Sequence, residues 1–457
     1  MLPPSLLVTV LVSLLAPALA APPQIRLAPT AESRDSLRVN ILAQLPVDQA
    51  RQLQLHLDTW TQPRTLRFSD RADDWATLSE GHKALLRFEG RRFVDVTDDT
   101  DYQPEIGKPG AQPTPLSPTR LSPADSPPSA VDDSEEHYPL KIKHNTTSLA
   151  PLFKHVHLAE MQAFLANFTS FFNRYYRSDY GVQSQEFLLS HLRSARPSLV
   201  LRLSPRSLAR TTQLHATLNP RANVTYTAFP HSTWDQRTLI LRWTSPSVPA
   251  DAPAVLISAH QDSTNRLPFL RAPGADDDGS GTTALVAVFG ALLRGKWAPT
   301  TNHVELMFFS AEEGGLLGSG EVARLYKEEG RSVRAMYHMD VVGFVKNGTT
   351  PSIGLITDGV SPALTAYLAR LIAHFSALPV AQTQCGYMCS DHGRFFQAGY
   401  PAACLSEGRF EDSSPYMHSA QDTASQPEFS FVHIREFVHV ALGYLVELAG
   451  WEGTCEA

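Results

Sequence analysis

The stretch Ala254-Val255-Leu256-Ile257-Ser258-Ala259-His260-Gln261-Asp262 decides how the rest of the chain is read. Its apolar part, Ala254–Ala259, has the length of a strand and does not alternate with polar residues, so it suits a sheet covered on both faces. Runs of the same kind recur at Thr238–Trp243, His303–Ser310, Val333–Met339 and Pro401–Leu405. Between and after them lie segments with helical spacing, Thr282–Leu293, Leu317–Glu328, Ala363–His374 and Phe431–Leu448. Met161–Tyr176, with Met161, Phe164, Leu165, Phe168, Phe171 and Phe172 in helical register, predicts one more helix. This alternation predicts a three-layer α/β/α domain over residues 137–457, with a mixed, mostly parallel central sheet.

The full chain has 457 residues, 43% of them hydrophobic and 19% charged, which is enough apolar content to bury a core. A net charge of −7 leaves no basic surplus to neutralise a phosphate backbone, which excludes nucleic acid as the main partner. Four cysteines are too few for a disulfide scaffold of this size.

Residues 1–20 read as a secretory signal: an apolar stretch from Leu6 to Leu15, too short to span a bilayer, then Ala18-Leu19-Ala20 as a cleavage pattern. The segment departs from the usual form in having no Lys or Arg before the apolar stretch. No later run reaches 18 apolar residues, so a secreted, extracellular product with no membrane attachment after signal removal is expected. Residues 21–102 carry no cysteine and no cluster of ligand-type residues. Eight prolines between Pro104 and Pro128 mark residues 103–136 as an extended, solvated linker. A signal, a small domain and a Pro-rich linker in that order suggest a removable propeptide; a permanent accessory domain on a hinge is the alternative. Secretion makes Asn145, Asn167, Asn223 and Asn347, each followed by the acceptor pattern, candidates for glycosylation. The product is expected to act as a monomer.

The polar residues that carry chemistry stand at strand ends, where open α/β sheets place ligands. His260 and Asp262 share a strand face, so one imidazole nitrogen can be held by a carboxylate while the other meets a metal. Alone, the pair also suits a structural histidine near a surface aspartate. Gly274-Ala275-Asp276-Asp277-Asp278-Gly279-Ser280-Gly281 opens a helix with more carboxylates than one N-cap needs. A carboxylate bridging two cations would offset their repulsion; a solvated acidic turn or a calcium loop would do so too. Phe308-Phe309-Ser310-Ala311-Glu312-Glu313-Gly314-Gly315 offers one ligand and one free base, or favourable charge at a helix N-terminus. His338-Met339-Asp340 ends a further strand, and Tyr416-Met417-His418-Ser419-Ala420-Gln421-Asp422-Thr423 precedes the last helix. Each of these alone also reads as a core histidine or a surface aspartate. Together the five supply imidazole with carboxylate, a donor set that suits zinc and disfavours calcium. Two zinc ions carry four positive charges. Three carboxylates and one hydroxide balance them and leave a second glutamate free as base, which is the arithmetic of a two-metal hydrolase.

In this order AHQDS, PGADDDGSG, SAEEGGLLGS, MDVVG, CGYMCSDHG and MHSAQDT resemble the co-catalytic, two-zinc metallo-aminopeptidases, above all the secreted fungal leucine aminopeptidases. The likeness runs over residues 137–450 and includes FTSFFNRYYRSDYGVQS; the N-terminal piece resembles those enzymes' propeptide only in placement. The resemblance implies that His260 and Asp340 bind one zinc, His418 and Glu313 the other, and that Asp277 bridges both. It implies Glu312 as general base and Asp262 as the partner that orients His260. His338 is left out, because the set is complete without it. On a secretory route Cys385 and Cys389 are expected to form a disulfide, and the family carries one beside its site. Tyr387, between them, matches a tyrosine that polarises the substrate carbonyl; a packed aromatic is the alternative. Cys404 and Cys455 remain and could pair. Val341, Phe410 and Met417 could line a pocket for Leu-like side chains, though each also suits plain core. The implied activity is release of N-terminal amino acids from peptides with a free amino terminus. Rival readings are a glutaminyl cyclase, which resembles this fold and ligand set but uses one zinc, a binding module that has lost its ligands, and a calcium-binding module.

Overall fold

The computed structural model describes residues 31–69, 74–99, 138–194 and 219–451. The expected signal, the Pro-rich linker and Cys455 lie outside them. The first unit holds α1 (Ala31–Gln44), α2 (Val47–Thr59), β1 (Pro63–Arg67), β2 (Trp75–Ser79), α3 (His82–Phe88) and β3 (Val94–Asp95). Its three strands form an antiparallel sheet in the order β2-β1-β3. Leu53 and Leu57, four apart on α2, are buried with Ile41, Ala84 and Leu85, and this cluster closes on Leu267 of the larger unit. Leu55 points away and is 66% exposed.

The larger unit begins with α4 (Ala150–Phe153), α5 (Leu158–Phe168), α6 (Asp179–Ser194), β4 (Asn223–Phe229), β5 (Thr238–Thr244) and β6 (Ala254–His260). It continues with α7 (Gly279–Arg294), β7 (His303–Phe309), α8 (Leu317–Glu328), β8 (Val333–Met339), β9 (Ile353–Ile356) and α9 (Pro362–Phe375). It ends with β10 (Val380–Thr383), α10 (His392–Gln397), β11 (Ala402–Ser406) and α11 (Phe431–Ala449). The sheet runs β10-β9-β11-β8-β6-β7-β5-β4. The four middle strands β11, β8, β6 and β7 are mutually parallel. The β9–β10 pair is parallel within itself but runs against β11, and β5 runs against both β7 and β4.

Every residue of β6 and β7 is buried, as strands covered on both faces require. Val255, Ile257, Val304, Leu306 and Phe308 face the core shared with α5, α7, α9 and α11. Leu256, Met307 and Phe309, one step out of phase, pack with Val322 and Tyr326 of α8 and Phe395 of α10. The expected strands and helices differ from these by a residue or a few at each end, with one larger exception. The helix over Met161–Tyr176 stops at Phe168, where Thr169 Oγ1 and Ser170 Oγ take the carbonyls of Leu165 and Asn167 and close the last turn. Phe171 and Phe172 fall beyond it, and Phe172 is 39% exposed. The chain is thereby freed to carry Asn173–Tyr176 across to the carboxyl edge of the sheet.

Among the described residues no helix is long and apolar enough to cross a membrane. Asn145, Asn167, Asn223 and Asn347 are all exposed.

Candidate metal centre

The parallel strands β6, β7 and β8 end at one edge of the sheet, so whatever follows each of them meets the others. His260 is the last residue of β6, Glu312 and Glu313 follow β7, and Asp340 follows β8. Asp277 stands two residues before α7, and the loop leading to α11 delivers His418. His260 Nε2 lies 3.1 Å from Asp277 Oδ1 and 3.4 Å from Asp340 Oδ1. His418 Nε2 lies 3.0 Å from Asp277 Oδ2 and 3.1 Å from Glu313 Oε2. Two groups able to hold a metal therefore share one residue, His260–Asp277–Asp340 and Asp277–Glu313–His418.

These groups fit a cation better than they fit one another. Both ring nitrogens of His260 are buried and have no well-directed hydrogen bond, although carboxylate oxygens crowd Nε2. An imidazole with its lone pair aimed among carboxylates is a zinc donor set. Burial opposes a charged ring at His418, but Glu313 and Asp277 outweigh it and lift the pKa to about 10. Burial also opposes a charged ring at His260, and there Asp340 prevails. The site thus draws positive charge to itself.

The surrounding carboxylates work mostly on the backbone. Asp262 lies 3.5 Å from His260 Nδ1, and its two oxygens accept the N–H groups of Glu312 (3.1 Å) and Glu313 (3.2 Å). The Asp triplet divides three ways. Asp277 faces the histidines, and its peptide bond to Asp278 is cis. Asp278 caps α7 through Gly281 N and accepts His260 N and Val341 N. Asp276 accepts Gly343 N at 2.8 Å. Asp422, to which the sequence assigned no task, accepts the N–H groups of Asp276 (2.9 Å) and Asp277 (3.1 Å). Its presence in the MHSAQDT stretch was the only signal for it. Ala311, Leu316, Val341 and His418, all beside these groups, adopt positive φ of 49° to 60°, and such strain concentrates at functional sites.

His338 stands apart. Its nitrogens meet Ser258 Oγ at 2.8 Å and Ser390 Oγ at 2.7 Å, so its hydrogen bonding is complete without a metal. Cys385 and Cys389 are joined by a disulfide with an S–S distance of 2.08 Å. Cys404 is buried against them, and its pairing with Cys455 lies outside the described residues.

A cleft of about 370 Å³ opens over the centre. Glu312, Tyr387, Val341, Phe410 and Met417 border it together with four of the five histidine and carboxylate groups. Burial pushes the Glu312 carboxyl well above the usual range; His260 opposes this, and Asp340 and Glu313 reinforce it. The sequence did not foresee that Arg91, Arg92 and Phe93 of the first unit complete the wall. The Arg92 guanidinium lies 4.4 Å from the ring centre of Phe410 and 5.4 Å from that of Tyr387. Lys83 Nζ donates to Gly314 O at 2.8 Å and Asp95 N to Gly315 O at 3.0 Å, so the first unit also grips the loop that carries both glutamates.

Residues 239–441, from β5 into α11, match the model of peptidase family M28. Leucine aminopeptidase 1 of Colletotrichum graminicola is 36% identical over 385 residues, which cover 82% of this chain and 83% of that protein. A probable aminopeptidase of Saccharomyces cerevisiae is 34% identical, with 82% and 90% covered. The crystal structure of the LapA aminopeptidase of Legionella pneumophila shares the fold with a TM-score of 0.64 at 23% identity, covering 87% of this chain and 96% of that one. With 36% identity over more than four-fifths of both chains, and a family match that spans every strand carrying the site, this protein belongs to peptidase family M28.

Proposed function

We propose that this zinc aminopeptidase uses two metal ions, held by His260, Asp277 and Asp340 on one side and by His418, Asp277 and Glu313 on the other. One observation carries the reading: the two oxygens of Asp277 each lie within 3.1 Å of a different imidazole. When bound, the zinc pair supplies a water of near-neutral pKa and polarises the scissile carbonyl. Glu312 accepts the proton of the attacking water and delivers it to the departing amine. Burial raises its pKa above the usual carboxylate range, which makes it a stronger base than an exposed glutamate. Tyr387 turns its hydroxyl to the developing oxyanion. Asp262 holds the Glu312–Glu313 backbone and the His260 ring in one frame. Val341, Phe410 and Met417 receive a Leu-like side chain.

The product is secreted, with residues 1–20 as signal and the exposed Asn145, Asn167, Asn223 and Asn347 as glycan acceptors. The unit at 31–99 is the folded part of a propeptide. Support comes from Arg92, which lies across the two rings that a substrate side chain and carbonyl would need.

The deciding experiment compares leucine anilide with its N-acetylated form on the secreted, processed product, with and without a chelator. Turnover of the free amine alone, lost on chelation and restored by two equivalents of zinc, is expected. Equal rates on both substrates would refute the exopeptidase reading, and full activity with one equivalent would refute the metal pair.

A further inference from the structure

Arg174 is a cationic side chain that is 0% exposed. It stands in FTSFFNRYYRSDYGVQS, just past the early end of α5. Its guanidinium lies 4.3 Å from the ring centre of Phe168. All three of its side-chain hydrogen bonds go to main-chain carbonyls. Nε donates to Gln261 O at 2.8 Å, Nη2 to Gly274 O at 2.9 Å, and Nη1 to Pro273 O. Among the described residues no carboxylate stands within ion-pairing distance of it. A guanidinium buried without a direct ion pair is costly, so its retention here calls for a reason.

The requirement is visible in what the carbonyls belong to. Gln261 follows His260 directly, and Pro273-Gly274 leads into the turn that carries Asp277. Two loops that contribute to the metal centre are thus laced to one side chain 87 to 100 residues earlier. A second strand of the lace is neutral: Arg174 N donates to Ser263 Oγ at 3.0 Å, and Ser263 Oγ donates to Ala272 O at 2.9 Å. A third reaches the glutamate loop, since Gln236 Nε2 donates to Arg174 O at 3.1 Å and Ser310 Oγ to Gln236 Oε1 at 2.7 Å. Gly274 makes the close approach feasible. It has φ +56°, and a Cβ there would lie 2.9 Å from Arg174 Nη2 and 2.5 Å from Ser263 Cβ. The field of Asp422, Asp262, Asp277 and Asp278 keeps the group charged, although burial draws its pKa down to about 10.

We propose that Arg174 is a positioning residue of the metal centre: its hold on the carbonyls of Gln261, Pro273 and Gly274 fixes the His260 loop against the Asp277 loop. The proposal rests on the two-metal reading of those loops. Lysine keeps the charge but has no planar fork to reach three carbonyls, and methionine keeps the volume with neither. Unmet carbonyls would then let the two loops drift apart.

The test uses the intact protein, stripped and reloaded, with wild type, Arg174→Lys, Arg174→Met and Ser263→Ala side by side. Zinc affinity is read by competition with a chromophoric chelator, and site geometry by the visible spectrum of the cobalt-loaded form. Wild type binding two zinc ions is the reference, and its failure to do so would overturn the metal reading rather than this one. Arg174→Met is expected to weaken zinc at least about tenfold and to alter the cobalt bands. Arg174→Lys is expected to fall between it and wild type, and Ser263→Ala to change the spectrum slightly in the same direction. Wild-type zinc affinity and an unchanged cobalt spectrum in both arginine variants would overturn the proposal, however far their melting temperatures fall. If Arg174→Met does not fold, Arg174→Lys decides by the same two readouts.

Discussion

Asp262 accepts the backbone N–H of Glu312 at 3.1 Å while its other oxygen takes Glu313 N at 3.2 Å. The same carboxylate stands 3.5 Å from the far nitrogen of His260. One side chain therefore sets the ring on β6 and the two glutamates after β7. Asp262→Asn keeps the size but can accept with one oxygen only. The variant is expected to fold and to lose about ten- to a hundredfold in zinc affinity or kcat. Wild-type values of both would show that the carboxylate is not needed there.

Glu312 borders the cleft but belongs to neither metal-holding group. Replacing its carboxylate removes the proton acceptor and leaves the donor set whole. Glu312→Gln is expected to retain zinc at wild-type stoichiometry and to lose at least about a hundredfold in kcat, the low end for one acid–base group. Metal analysis beside kinetics on leucine anilide checks both halves. Near-normal turnover would move the base elsewhere, and loss of zinc would make Glu312 a ligand.

What could be read from the chain alone follows from how far each interaction reaches. The inner strands announced themselves because burial on both faces leaves unbroken apolar runs such as Ala254–Ala259. The side chains that meet at the centre could be listed because each follows such a run and His, Asp and Glu are conspicuous there. Strand β4, at the sheet edge, alternates polar with apolar residues and so escapes a reading based on unbroken apolar runs, while β9 and β10 have only four residues each. Asp422 and Arg174 act on backbone N–H and C=O groups of distant segments, and every residue offers those groups. Arg92 reaches its rings across a boundary between two units that composition separates, so no local signal links them.

Arg92 makes a prediction about activation. A cation over an aromatic ring is worth about 0.5–1 kcal/mol at a half-open site, and Arg92 faces two such rings. Arg92→Ala in the unprocessed chain is expected to raise kcat/KM on leucine anilide by about tenfold, which two such contacts would supply. Once residues 31–99 are removed, the enzymes obtained from the variant and from the wild-type chain are identical and are expected to turn over at the same rate. Equal activity of the processed and unprocessed wild-type proteins would mean that the first unit does not obstruct the cleft and is a permanent part of the enzyme.

The hold of that unit should depend on pH in one direction only. Glu80 meets Lys83 at 2.9 Å, Arg177 of the larger unit at 3.3 Å, and the hydroxyl of Tyr176 at 2.6 Å. Asp95 meets Arg64 at 2.6 Å and Lys83 at 2.7 Å. Burial alone would push both carboxyls up. Lys83 and Arg177 at Glu80, and Lys83 and Arg64 at Asp95, outweigh it and hold both below the usual carboxylate range. A depressed folded-state pKa adds stability that is complete above the unfolded value and is lost as pH falls through the folded one. His56 of α2, packed against Phe269 of the larger unit, acts in the same sense, since burial and then Arg87 draw its pKa down to about 4. The fold of the first unit, and docking with it, is therefore expected to weaken from about pH 6.5 downward and more steeply below about 4, where carboxylates of ordinary pKa begin to take up protons. Chromatography of protein nicked in the 103–136 linker reads this directly, since the two pieces co-migrate while docked. Lys83→Met removes the cation common to both carboxylates, so separation should move to higher pH in that variant. The same midpoint in variant and wild type would show that this ion network does not govern release.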